Sequence, residues 1–160
     1  MKRLPGGGAV LAPAFAAAIE SYLTQFLLAG YELAVQAAIY VPLEIDIALC
    51  VARDYFPGDV EAAVFRLLSN RAYADGTRGF FHPLNFGFGQ PVYLSRLYAA
   101  LETVEGLDSA AVTVFKRYWE VARDELARGV IAMGEMEIPR LDNDPSRPDR
   151  GFLELALDGG

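Results

Sequence analysis

The stretch "YVPLEIDIALCV", residues 40–51, constrains the fold more than any other part of the chain. Val41, Leu43, Ile45, Ile47, Leu49 and Val51 alternate with Pro42, Glu44, Asp46, Ala48 and Cys50. Side chains on a strand point to opposite faces in turn, so this period of two predicts a strand with one buried face and one mostly exposed face. Pro42 has no amide to give to a ladder, which predicts that the strand begins at a sheet edge or ahead of its pairing.

Helical patterns lie on both sides of that strand. Pro13 suits a first helical turn and Gly30 a helix end, which predicts a helix over 13–29 whose Phe15, Ile19, Tyr22 and Phe26 share a face. Tyr31–Val35 alternates and predicts a short strand. Pro57 and Gly58 break the chain, Asp59 is a candidate N-cap, and Val60, Val64, Leu67 and Leu68 follow at helical spacing. Residues 74–79 read as a turn, and Pro91 as the start of a third helix with a stripe of Leu94, Leu97, Tyr98, Leu101 and Val104 that ends near Gly106. Residues 109–119 are β-branched and aromatic and predict a strand; 120–128 read as a loop or a helical turn. "MGEMEIPRLDN" and "GFLELAL" alternate like strands, with the turn residues of "DNDPSRPDRG" reading as a hairpin connection between them. The order predicts an α+β fold: a mostly antiparallel sheet with helices packed on one face.

Lys2, Arg3 and the small apolar residues after them resemble a secretory leader, but Gly6, Gly7, Gly8 and Pro13 interrupt it and the helical pattern runs on past it. The expectation is a flexible N-terminus over 1–12 and a single domain over 13–160, with no signal peptide. At 53% hydrophobic and 22% charged residues, the chain can fill a core. A net charge of −7 without any Lys/Arg run argues against nucleic-acid binding. No run of about 18 apolar residues lacks a charge or a breaker, which argues against membrane insertion. Cys50 stands alone, so no internal disulfide and no Cys-rich zinc site can form.

"RGFFHPLNFGFGQPVYLSRLY", residues 78–98, holds the only histidine and Phe80, Phe81, Phe86 and Phe88. His82 would need a nucleophile or carboxylate partner for general-base work; no Gly-x-Ser-x-Gly motif is present, and Ser95 sits in a helical stripe. Gly87-Phe88-Gly89 is too short for a phosphate loop and has no lysine after it. Cys50 lies in mid-strand, without the helix N-terminus or cation that activates a thiolate. Asp142, Asp144 and Asp149 raise the idea of calcium but lack the spacing of a hand-like site. Neither a catalytic residue, a cofactor site nor a metal site is expected. Each phenylalanine would remove about 150–250 Å² from water if buried, so the stretch reads as a structural loop or an interface.

Three segments resemble a known family: "VPLEIDIALCV", "FFHPLNFGFGQPVYLSRLYAA", and "EIPRLDNDPSRPDRGFLELAL" with the "ELARGVIAMGEM" ahead of it. Their order and spacing are similar to the C-terminal region of baseplate J-like proteins, the baseplate assembly proteins of contractile phage tails and phage-derived injection particles. The resemblance runs from about Pro13 to the C-terminus. It implies a non-enzymatic wedge component that associates with copies of itself, as a homo-oligomer in the particle, and docks to other wedge proteins. It also implies a cytoplasmic stage of assembly before incorporation into the particle. Carried onto this chain, the implied interface is the loop Arg78–Gln90, the helix begun by Pro91 and the hairpin around Leu141–Arg150. The candidate contact residues are Phe80, Phe81, His82, Phe86, Phe88, Gln90, Tyr93, Arg96, Leu141, Asp142, Asn143 and Asp144. Two alternatives stand beside this: a tail-associated cell-wall hydrolase using paired carboxylates such as Glu44 and Asp46, and a small-ligand-binding domain walled by the Phe/Gly loop.

Overall fold

The alternating stretch forms β1 (Ile39–Val51), the central strand of the computed structural model, which describes residues 11–159. Val41, Leu43, Ile45, Ile47, Leu49 and Val51 are all buried, as the period of two requires. Burying one such side chain is worth about 1.5–3 kcal/mol, so this single face is a main source of stability. The opposite face is half-buried at Glu44, Asp46, Ala48 and Cys50, and Pro42 is buried.

The remaining elements follow as α1 (Pro13–Thr24), α2 (Pro57–Leu67), β2 (Val92–Tyr93), α3 (Leu94–Leu101), β3 (Leu107–Arg117), α4 (Glu125–Arg128), β4 (Val130–Ile131), β5 (Glu137–Arg140) and β6 (Phe152–Gly159). The fold is α+β, as expected. β3 runs antiparallel to β1, pairing Leu43 with Arg117 through to Val51 with Leu107, and β2 runs antiparallel to β4. β5 and β6 instead run parallel to β1, one after the other along the same side: Ile39–Pro42 against Glu137–Arg140, then Glu44–Val51 against Phe152–Gly159. The expected hairpin between them is therefore an excursion that leaves the sheet edge and returns to it.

Helices α2 and α3 cover the buried face. Val64, Leu97 and Leu101 pack with the β1 residues and with Leu68, Phe81, Phe86, Val92, Phe115, Ile131, Leu141 and Leu153 in one cluster. α1 takes no part, and none of its residues is buried.

Several local expectations are corrected. Pro42 stands just ahead of the β1–β3 pairing, which begins at Leu43, but not ahead of all pairing, because β5 already pairs with Ile39–Pro42; the Pro42 carbonyl accepts the Tyr118 amide. Tyr31–Val35 forms no strand, having no partner to pair with. The first helix stops at Thr24, short of Gly30. Pro57 takes the first turn of α2, so Phe56 is its N-cap and Asp59 lies in that turn. Pro91 comes just before β2; the Leu94 amide donates to Gly129 O (2.9 Å), and the third helix begins only there. The expectations for residues 1–10 lie outside the described residues.

Candidate functional site

The loop after α2 is stitched down before it reaches its aromatic residues. Backbone amides of Gly79, Phe80 and Phe81 donate to Arg71 O (2.8 Å), Leu67 O (2.6 Å) and Ser69 O (3.1 Å). These bonds press Gly79 against Ser69 so closely that any Cβ there would overlap the Ser69 backbone, which is why glycine holds the position. Asn85 closes the loop from the other end, its side-chain amide donating to Gly79 O (2.8 Å).

Phe80, Phe81 and Phe86 then form one aromatic cluster. Phe81 meets Phe80 edge-on at 4.9 Å between centroids and stacks with Phe86 at 6.0 Å. Phe81 and Phe86 are buried and Phe80 is half-buried against the core. His82 sits at the head of a 3-10 turn, Pro83–Asn85, and its Nδ1 accepts the Leu84 amide at 3.2 Å. The imidazole thus caps a turn. Gln90 Oε1 accepts the Gly87 amide (2.8 Å), and Gly89, at φ +70°, donates to Glu137 O (3.0 Å). With its backbone held at both ends, the loop turns Leu84, Phe88 and, on β2, Tyr93 outward, at 73%, 58% and 46% exposure. Arg96 is exposed on α3.

The second implied segment meets the same end of α2. Asn70 donates to Asp142 Oδ1 (2.8 Å), which also accepts from Arg140 Nε (2.9 Å). Asp142 and Asn143 amides donate to Arg150 O (3.0 Å) and Gly151 O (3.2 Å), and Asn143 Oδ1 accepts the Leu153 amide (3.0 Å). These bonds pinch the two ends of the 141–151 excursion together. Asp144 Oδ1 accepts the Ser146 hydroxyl (2.7 Å) and amide, which hold that carboxyl below its ordinary pKa. A cavity of about 420 Å³ lies between the C-terminal end of α2 and this excursion, walled by Arg66, Asn70, Arg71, Tyr73, Asp142 and Asn143.

Three implied contact residues are corrected outright. Phe81, Phe86 and Leu141 are core, because each supplies apolar area to the cluster under β1. Asp142, Asn143, Gln90 and His82 are bound to their own backbone or to neighbouring side chains. Of the twelve, Phe88, Tyr93, Arg96 and Asp144 are exposed. Leu84 was not signalled: it sits between Pro83 and Asn85, where no period exists to tell inside from outside. Trp119, at the end of the stretch that read as a strand, and Val121, in the one that read as a loop or a helical turn, were also missed; they are 60% and 88% exposed.

The three aspartates considered for calcium do not converge: Asp142 is held by Arg140 and Asn70, and Asp144 by Ser146. Among the described residues no group of three His, Cys, Asp or Glu side chains is placed to hold a metal ion. Glu44 pairs with Lys116 at 2.6 Å. Its neighbour Asp46 has a buried Oδ1 with no hydrogen-bond partner; burial, then Glu154 and Glu44, push its carboxyl above the ordinary value. No helix among the described residues is long and apolar enough to cross a membrane. A scan against protein-family models matches none, and no curated protein matches the chain.

Proposed function

We propose that this chain is a structural assembly protein, a baseplate wedge component of a contractile phage tail or a tail-like injection particle. It acts by binding copies of itself and neighbouring wedge proteins through the surface of residues 78–98. What carries this reading on the surface side is the division of labour in the loop. Phe81 and Phe86 anchor it, and Leu84, Phe88 and Tyr93 are left facing solvent on a backbone fixed by hydrogen bonds. Fixed apolar groups lose little entropy on docking, which is what a subunit contact needs. The motif resemblance supplies the particle context. The family-model scan does not return that family, so the reading rests on the quoted motifs together with this surface.

Sedimentation velocity of the wild-type chain beside Phe88→Ala and Tyr93→Ala tests it. Concentration-dependent association of the wild type, weakened about tenfold or more in either variant, is the expected result. Two folded variants that associate like the wild type would remove the loop from the interface.

A further inference from the structure

The sheet has two long strands at its margins, and they are finished differently. Among the described residues β3 and β6 each pair only with β1, so each leaves one side of its backbone without a partner strand. Such a margin is a template for another strand unless something blocks it. On β3 the block is present. Asp46 pairs with Val114 and Ile47 with Val112, which leaves Thr113 as an extra residue, and a bulge of this kind twists an edge away. The Val112 amide is also taken, by the Tyr98 hydroxyl (3.0 Å).

β6 has neither device. Its register with β1 is unbroken from Phe152 to Gly159, and the strand holds no proline, lysine or arginine. Two bonds mark the groups that turn away from β1: the Leu153 amide donates to Asn143 Oδ1 (3.0 Å), and the Gly159 amide to Asp158 Oδ1 (2.9 Å). Backbone groups alternate in direction along a strand, so the N–H and C=O of Leu155 and Leu157 also point outward, where no described element pairs with them. The side chains beside this edge are sorted by face. Leu155 and Leu157 lie half-buried on the core side, while Glu154 and Asp158 are exposed on the other, with Asp46 next to Glu154 in the register. The strand cations on that outer face are Lys116 and Arg140, and Glu44 and Asp142 already hold them. Arg53, beyond the end of β1, is followed by Asp54. Asp46, Glu154 and Asp158 form no ion pair among the described residues.

We infer that the β6 edge takes an extended segment of another protein, one in which Lys or Arg alternates with aliphatic residues. The segment joins the sheet as a further strand. Its amides and carbonyls pair with those of Leu155 and Leu157, its aliphatic side chains lie beside the two leucines, and its cations lie beside Glu154 and Asp158. Charge selects this occupant over the β6 of a second copy. Self-pairing that sets Leu155 against Leu157 also sets Glu154 against Asp158, and like charges directly opposite each other destabilise a sheet. Asn143 covers the Leu153 amide, so the pairing runs from Leu155 toward Gly159. The edge shares no residue with the 78–98 surface, so this contact and self-association through that surface stand or fall separately.

The probe is a synthetic peptide blocked at both ends, Ac-Lys-Val-Arg-Val-Lys-Val-amide, titrated into the full ¹⁵N-labelled chain while amide shifts and hydrogen exchange are read residue by residue. Exchange at Leu155 and Leu157 is expected to slow several-fold as the peptide saturates. Binding should weaken about tenfold in Glu154→Lys/Asp158→Lys, whose other amide shifts report that it is folded, and should weaken with added salt. Of two peptides N-methylated at alternate residues, one should fail to bind the wild type and the other should bind, since only one row of amides faces the edge. No binding at millimolar peptide, equal binding by both methylated forms, or shifts centred on β3 or on residues 78–98 would overturn the inference. Protection of Leu155 and Leu157 that rises with protein concentration in the absence of peptide would assign the edge to a second copy and overturn it as well.

Discussion

Phe81 and Phe88, seven positions apart in one loop, are predicted to behave as different kinds of residue. Phe81 is 1% exposed and touches Phe80 and Phe86. Truncating it to alanine removes a whole buried ring and leaves a cavity that the hydrogen-bonded backbone cannot collapse, at a cost of about 3–5 kcal/mol. Phe88 is 58% exposed, so it has roughly 80 of a phenylalanine's about 200 Å² to lose. At about 25 cal/mol per Å² that bounds its cost near 2 kcal/mol, and a compact unfolded chain brings it nearer 1.5. Urea denaturation followed by circular dichroism, with the transition slope unchanged, measures both. For a domain of this size the thermal midpoint should fall by roughly 6–20 °C for Phe81→Ala and by less than about 6 °C for Phe88→Ala. Equal losses, or a larger one at Phe88, would mean that the ring assignments in the loop are wrong.

Two further outcomes follow from the charges and the loop closure. Burial would raise the Glu137 carboxyl, but the Arg117 guanidinium (2.5 Å) and the Gly134 amide outweigh it and hold it below its ordinary 4.5. Folding therefore favours the ionised form: the stability it contributes is complete above pH 4.5 and is lost as pH falls through the lower folded value. Arg117→Met should cost about 1–2 kcal/mol at pH 7 and flatten that acid-side loss, checked by urea titrations between about pH 3 and 7. Gly151 lies at φ +102°, and a Cβ there would stand 2.7 Å from Arg140 O and 2.9 Å from Leu141 Cα. Gly151→Ala should cost about 1–3 kcal/mol and speed amide exchange at Asp142 and Asn143, whose bonds to Arg150 and Gly151 close the excursion.

The legible parts of this fold are those where one period runs for many residues. Strand β1 was readable because eleven positions alternate without a break, and the apolar stripe of α3 because Leu97 and Leu101 recur one turn apart and are both buried. Direction was not readable for β5 and β6. Alternation is the same in parallel and antiparallel strands, and the turn residues between them close a loop as readily as a hairpin. At the candidate site, the aromatic surplus showed that the 78–98 loop mattered. It could not separate Phe81 from Phe88, because inside and outside are decided there by the bonds of Gly79, Asn85 and Gly89. That α1 is uncovered was not readable, because the shared face of Phe15, Ile19, Tyr22 and Phe26 looks the same whether or not anything packs on it.

The most direct test of the assembly claim is hydroxyl-radical footprinting of the wild-type chain from dilute to concentrated solution, read at single side chains alongside the mass from light scattering. As the mass rises, labelling of Leu84, Phe88 and Tyr93 should fall several-fold, while Phe81, already sheltered in the core, stays unlabelled throughout. Unchanged labelling at those three positions in a sample that has associated, or a monomer mass at every concentration, would contradict the account.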